Sequence, residues 1–477
     1  MVGAVVFVSF AYFYGGGGWN QNSRFDLLRA VLEQHTLRID SYHQNTEDKA
    51  HFDGHYYSDK APGVVFLALP FAATARAALR ASGIDPESPR GEVFASYAAT
   101  LGAVALPAAL ACVCVFFIAL RLGSSSAGAA FAGLGMGLGT PLWAYAIVLW
   151  AHALVGACLL FGFAAALELS GRKTPRTEFL IALGVGLAAG WAVVTEYPAA
   201  PAAVVLACLA LYQAWPRGRE ARWRVVAGVG AGALACVAVL AIYLHAAFGS
   251  ILRPSYSYYD PNSFVFMQQR GYLGLTYPHI DVLLKILFGC RRGLVFAAPV
   301  TAAAPVGLGL FWRDKGTRPA ALAAVAIVAY YLLFNASFYQ WQSGLSFGPR
   351  YAGAAIPLLC LGLAAAWTCA TPAWRMVLVV LAVCSVLSAL MVVSTNPQLA
   401  VQDRCPMFHS VWPAFWSGQM SLNHGSPLTF AEAGSSERYG AFNLGERAGL
   451  RGLRSLIPLL ALWAIAGFVW VRIEQHD

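Results

Sequence analysis

The chain has 477 residues, of which 58% are hydrophobic and only 12% charged, with a mean hydropathy of +0.59. A soluble domain carries roughly 25% charged residues, so there are too few polar side chains to coat the two or three soluble domains this length would make. Soluble, fibrous and disordered classes are excluded, and the apolar blocks of about twenty residues match a hydrocarbon core of about 30 Å.

The first block, Met1–Tyr14, is apolar but reaches only about 20 Å at 1.5 Å per residue. It has no basic leader and no small-residue cleavage site, so it reads as a first membrane helix with a clipped start, not a cleaved signal peptide. Further spans are expected near 94–120, 126–143, 146–169, 178–194, 199–215, 224–247, 293–312, 319–336, 352–370, 374–395 and 453–472. The fold class is therefore all-α: one polytopic membrane domain, 1–477, of about twelve transmembrane helices.

The net charge of +9 is spent on topology. Arg172, Lys173 and Arg176, then Arg217, Arg219, Arg222 and Arg224, then Arg313, Lys315 and Arg318 occupy short turns, the signature of cytoplasmic loops. This placement argues against a nucleic-acid partner. Alternation puts the C-terminus inside and three long segments outside, 15–93, 248–292 and 396–452.

Within the first outer segment, Phe25–Leu37 has helical spacing. Phe25, Leu28, Val31 and Leu32 share one face and Asp26, Arg29 and Glu33 the other, which suits a helix in the interface plane. Gly63–Ala81 is apolar but carries Arg76 and Arg80, each costing about 2.5–3.5 kcal/mol at a membrane centre. Crossing there would also turn the basic loops outward, so a juxtamembrane or re-entrant helix is expected. The run Gly133–Gly139 has no strand before it and no Lys-Ser/Thr after it, so it reads as helix packing, not a nucleotide loop.

Seven of the ten cysteines lie well within apolar blocks, where a thiol acts as a small hydrophobe. Cys290, Cys369 and Cys405 lie at segment ends and there is no CxxC, so neither a disulfide framework nor a zinc site is expected.

The polar residues are concentrated between Asn20 and Gly63. His35, Asp40, His43, Asp48, His51, Asp53, His55, Asp59 and Lys60 fall there; a divalent metal is conceivable, but a solvated loop accounts for the pattern better, since no HExxH-like context exists. The sharper feature is Gly54-His55-Tyr56-Tyr57-Ser58-Asp59-Lys60-Ala61-Pro62-Gly63, leading straight into an apolar stretch. Lys60 would sit at headgroup depth, able to meet a phosphate as a point charge. Asp59 could orient it or accept a hydroxyl proton. The competing reading is a snorkelling lysine before a turn; chemistry alone leaves both open.

Other charged groups stand at outer mouths of spans. Arg350, in Ser346-Phe347-Gly348-Pro349-Arg350-Tyr351, and Arg291 and Arg292 offer guanidinium forks suited to phosphate. Glu196, before Tyr197, and His152 are ionisable groups at membrane depth and so candidate substrate contacts. The 248–292 segment is rich in tyrosine (Tyr256, Tyr258, Tyr259, Tyr272, Tyr277), with Asp260, Asn262 and His279. It suits a sugar surface or an interfacial aromatic belt equally.

One membrane helix, an outer amphipathic helix and an acidic-Lys-x-Pro corner (Asp59-Lys60-Ala61-Pro62) together resemble the GT-C glycosyltransferases, similar to protein mannosyltransferases and lipid A aminoarabinose transferases. The likeness covers roughly the first 170 residues. With Asn-x-Asn-Ser-Arg at 20–24 and Ser-Phe-Gly-Pro-Arg-Tyr at 346–351, it points to a bacterial branch of that superfamily. The resemblance implies a bacterial inner-membrane hexosyl- or pentosyltransferase whose site faces the periplasm or exterior. It would move sugar from a polyprenyl-phosphate donor to a hydroxyl acceptor on a glycan, lipid or protein. It further implies Lys60 on the donor phosphate; the residue readings add Arg350 and Arg292 there and Glu196, His152, Tyr57 and Tyr351 as substrate contacts. Two departures stand out. Ala61 replaces the first proline of the corner, and the acidic residue expected after the first helix is amidated in Asn20-Gln21-Asn22. The catalytic base then falls to Asp59, Asp26 or Asp40. No cofactor is expected with certainty, a divalent metal remaining open. The alternatives are a flippase or transporter of lipid-linked glycans, which would need polar mid-membrane helices, or a non-catalytic envelope-assembly scaffold.

Overall fold

A computed structural model describes residues 1–259, 270–429 and 438–474; Asp260 and Asn262 lie outside them. Nine described helices are long and apolar enough to cross a membrane, and three shorter apolar ones, Val2–Ala11, Ser126–Leu138 and His152–Glu168, accompany them. One further expected span, near 293–312, is broken into Leu294–Ala297, Pro299–Ala303 and Ala304–Arg313. Pro299 and Pro305 lie at the starts of the second and third pieces, where proline's fixed φ and missing N–H do least harm. The protein is thus an all-α, multi-pass membrane protein, with two small two-stranded sheets among the described residues.

The bundle has two chemically different ends. At one, Arg121 pairs with Glu168, and Arg217 and Arg224 pair with Glu178; the short basic turns lie here. At the other stand Lys60, His152, Glu196, Arg350 and Gln398.

Gly63–Ala81 qualifies as a span by length and composition, but its contacts place it otherwise. Gly63 abuts Thr195 at the end of helix Pro175–Thr195. Arg76 is buried and pairs with Glu33 at 2.8 Å and Glu92 at 3.7 Å. Glu92 lies near the start of Pro89–Arg121, whose far end carries the Arg121–Glu168 pair. Both ends of Gly63–Ala81 therefore sit at the Lys60 end of the bundle. A buried arginine is tolerated because two carboxylates compensate it.

The expected amphipathic helix is longer and less amphipathic than its spacing indicates. It runs Trp19–Gln34, and Asn22, Arg24, Asp26, Leu27 and Leu28 are all buried. A chain of polar contacts explains the covered polar face. Asn22 donates to the carbonyls of Asn45 and Pro427, and Arg29 pairs with Glu92. Gly15–Gly18 lets the chain enter this helix. Asn423 donates to the carbonyls of Gly15 and Gly17, and a Cβ at Gly17 would meet the backbone of Ser426 and Leu428.

The glycine run serves packing, as its context indicates. In Ser126–Leu138, Gly133 faces the carbonyl of Cys112 and Gly137 faces Val6. The cysteine expectation is corrected at one pair: Cys290 and Cys405, 115 residues apart, are disulfide-bonded with Cα atoms 5.0 Å apart. Spacing in sequence could not show it, because tertiary contact between two distant loops at one end of the bundle creates it.

Candidate active site

The loop between the first two outer helices folds as a β-hairpin. Lys49–Phe52 pairs with His55–Ser58 around Asp53-Gly54, both at positive φ, which is the two-residue turn that Asp-Gly favours. Lys49 opposes Ser58, so the residues just outside the last pair, Asp48 and Asp59, flank the open end together. Lys60 completes the cluster, its Nζ lying 2.9 Å from both Asp48 Oδ2 and Asp59 Oδ2. Burial alone would push the ammonium toward deprotonation; the two carboxylates outweigh it and hold Lys60 above its ordinary value.

Lys60 opens into a cavity of about 880 Å³. Arg24, Asp48, His152, Glu196, Arg350 and Tyr351 also line it, with Trp150, Tyr256, Tyr259 and Gln398 among the neutral walls. Three cations thus face two carboxylates. Each carboxylate is engaged: Asp48 with Lys60, and Glu196 with His152 Nδ1 at 2.9 Å. Burial raises the Glu196 carboxyl, but the His152 imidazole, Arg24 and Arg350 outweigh it and hold it below the usual carboxylate range.

Arg24 and Arg350 have no ion-pair partner among the described residues. Arg24 is 2% exposed, donates through Nη1 to Asn20, and its Nε finds no acceptor. Burial pushes its guanidinium below its ordinary value. Arg350 lies over the Trp150 ring, 4.7 Å from its centroid, and its Nε is likewise unpartnered. Charge withdrawn from water without a partner is costly, and the arrangement suits an anion.

The expected site residues divide. Lys60, Arg350, Glu196, His152 and Tyr351 meet around the cavity. Asp59 stands behind it, fully buried, accepting from Ser23 and pairing Lys60; burial first of all raises its carboxyl. Asp26 is buried away from the cavity against Asn45, and Asp40 is on the surface, accepting from His55 and the Tyr56 backbone N–H. Neither faces the space where a hydroxyl could bind. Tyr57 packs on Phe248. Arg292 is a structural residue, donating to the carbonyls of Arg291, Gln342, Gly344, Leu399 and Ala400. Its guanidinium is pushed down to about 10, chiefly by burial. The histidines of the hairpin region pack on one another's neighbours: His43 stacks on Tyr56 and His55 pairs Asp40. Among the described residues no three His, Cys, Asp or Glu gather around one point.

Arg24, Asp48 and Trp150 line the cavity although the sequence alone gives them no donor-binding or catalytic role. The amidated stretch accounts for their places. Gln21 accepts from Trp150 Nε1 at 2.9 Å, and Asn20 reaches Asp48 at 3.4 Å. Asp48 thus stands beside Asn20 of the amidated stretch. The Asp-Gly turn between alternating residues was the signal that could have shown the Asp48–Lys60 pairing.

No family model matches the chain, and no curated protein does. Among solved structures, ArnT from Cupriavidus metallidurans bound to undecaprenyl phosphate aligns with a TM-score of 0.52 at 17% identity, covering 80% of this chain. The chain shares the fold of that ArnT. It spans about 61% of the length of that ArnT chain. The apo form of the same ArnT aligns at 15% identity and a TM-score of 0.48, covering 79% of this chain and 60% of its own.

Proposed function

We propose that the protein is a polyprenyl-phosphate-dependent glycosyltransferase, and that the cavity binds the donor at its phosphate. One observation carries the reading: two guanidinium groups without a carboxylate partner among the described residues, the buried Arg24 and the half-buried Arg350, share a cavity with Lys60. A phosphoester is the anion such a set suits, since guanidinium forks meet phosphate oxygens in pairs. The fold likeness to an ArnT bound to undecaprenyl phosphate supports the same ligand class. An apolar cleft of about 250 Å³ beside the broken segment, lined by Phe288, Leu294, Pro305, Leu332 and Ile356, offers the isoprenoid chain a matching surface.

In this reaction an acceptor hydroxyl attacks the anomeric carbon and the carrier leaves as polyprenyl phosphate. Negative charge grows on the leaving phosphate, and cations already in place stabilise it without reorganising. Lys60 contributes with its protonation fixed by Asp48 and Asp59; Arg24 and Arg350 contribute uncompensated charge. The tyrosines and tryptophan of the wall suit the sugar ring. The acceptor is a glycan, lipid or protein hydroxyl.

The site end faces the periplasm or exterior of a bacterial inner membrane, with the C-terminus cytoplasmic. The basic turns at the opposite end support this by the positive-inside rule. The Cys290–Cys405 disulfide at the cavity's end supports it too, since disulfides persist in oxidising compartments.

Purified protein in nanodiscs, given a panel of undecaprenyl-phosphate sugars labelled in the sugar, tests the reading. Release of undecaprenyl phosphate with transfer of label is expected from at least one donor. Stabilisation by undecaprenyl phosphate no greater than by uncharged undecaprenol would contradict it.

A further inference from the structure

The amidated Asn20-Gln21-Asn22 stretch leaves the transfer reaction needing a base, and the cavity contains one of a different kind. We propose that His152 is the general base that deprotonates the acceptor hydroxyl, with Glu196 as its positioning residue. The inference rests on the glycosyltransferase reading and specifies its proton acceptor.

Two carboxylates line the cavity among the described residues, Asp48 and Glu196. Asp48 is bound to Lys60 Nζ at 2.9 Å. Its charge holds the cation that meets the leaving phosphate, so this carboxylate is already committed as a counter-ion. Glu196 pairs with His152 instead, its two oxygens 2.9 and 3.1 Å from Nδ1. An ionised carboxylate only accepts, so in the neutral imidazole Nδ1 carries the proton and Nε2 keeps its lone pair. This is the arrangement in which a carboxylate fixes an imidazole's tautomer and stabilises the imidazolium that forms. His152 is held from several sides: by Glu196 at the turn after Pro175–Thr195, by the Tyr145 ring at 6.0 Å and by the Tyr351 ring at 6.4 Å. Arg350 and Arg24 are the charged groups acting on it besides Glu196. Glu196 is also followed by Pro198 in a short 3-10 turn, which fixes its backbone.

The step balances without a further reactant. His152 Nε2 takes the acceptor proton as the acceptor oxygen bonds to the anomeric carbon. The carbon–oxygen bond to phosphate breaks, its electron pair leaves with polyprenyl phosphate, and the imidazolium later returns its proton to water.

The test uses the full chain in nanodiscs with the donor that the wild type turns over. H152Q should lower kcat by about 100-fold or more, the range of a general base, with the donor KM and the thermal shift given by undecaprenyl phosphate unchanged. H152A should regain turnover with added imidazole. E196Q should lower kcat less and move the acid limb of its pH profile to lower pH, because removing the carboxylate makes the imidazolium harder to form. H152Q retaining wild-type kcat overturns the base and leaves the transferase reading standing. A fall in E196Q that leaves the pH profile in place also overturns it. Absence of turnover by the wild type with every donor instead overturns the transferase reading, and the base with it.

Discussion

Lys60 Nζ sits 2.9 Å from Asp48 and 2.9 Å from Asp59, but only Asp48 lines the cavity with it. The hairpin makes that difference. Its register sets Asp48 and Asp59 on either side of the open end, and the chain turns Lys60 inward while Asp59 stays behind against Ser23. An acidic-Lys pair adjacent in sequence thus becomes a buried supporting acid and a cation that faces the cavity.

For Lys60 the consequence is a charge whose removal hurts twice. On the proposed donor site K60A removes a phosphate contact, and it leaves the buried Asp59 and the half-buried Asp48 without their partner, the kind of loss that costs about 3–5 kcal/mol when the charge is buried. Transfer by K60A membranes should fall by at least two orders of magnitude, and D59N should raise the donor KM more than it lowers kcat. Steady-state kinetics on both variants checks this; a D59N effect confined to kcat would restore Asp59 as the base.

Arg24 and Arg350 should show in ligand binding. R24A and R350A should each weaken the stabilisation given by undecaprenyl phosphate, and R350K should restore little, because an ammonium lacks the planar fork and the stacking on Trp150. Thermal shift against undecaprenyl phosphate concentration reads the change. It should exceed tenfold in apparent Kd for R24A, since a charge-assisted hydrogen bond is worth about 1.5–3 kcal/mol.

Asp26 gives a pH test that separates burial from catalysis. Burial, only partly offset by Arg29, raises its carboxyl well above the usual value. A group raised on folding favours the folded state least when ionised. Its penalty appears as pH rises past the unfolded value and grows until the folded one is reached. D26N removes that penalty, so D26N should match or exceed the wild type in melting temperature at pH 8, and the gap should narrow toward pH 4. Its transfer activity should be retained.

The disulfide ties Cys290, two residues before Arg292, to the segment whose Leu399 and Ala400 carbonyls Arg292 engages. Reduction, or the C290S/C405S pair, should lower the melting temperature, a native disulfide contributing typically 2–4 kcal/mol. R292M should lower expression and melting temperature together, because it leaves five carbonyls without their donor. Fluorescence-detected size exclusion on heated samples distinguishes both from a kcat effect.

Much of this architecture is written in local pattern. Span lengths, the two arginines in Gly63–Ala81 and the placement of basic turns are properties of short windows, and they agree with the bundle's two ends. The Lys60 corner and Arg350 are legible for the same reason: each lies in a polar motif at the mouth of an apolar block. What local pattern could not give is which polar residues share a space. Arg292 and Arg350 look alike in sequence, yet one is consumed by backbone carbonyls and the other faces the cavity. Asp26 falls on the polar face of a helix whose polar face is buried by segments near 45 and 428, 383 residues apart in chain order. Cys290 and Cys405 meet only because two distant loops close one end of the bundle.

The most direct measurement is a cryo-EM structure of the full chain in nanodiscs with undecaprenyl phosphate. Phosphate density within hydrogen-bonding distance of Lys60, Arg24 and Arg350, with the isoprenoid chain leaving toward the cleft at Leu294 and Ile356, is the predicted result. Phosphate density elsewhere, with the three cations still facing an empty cavity, would contradict the proposed chemistry.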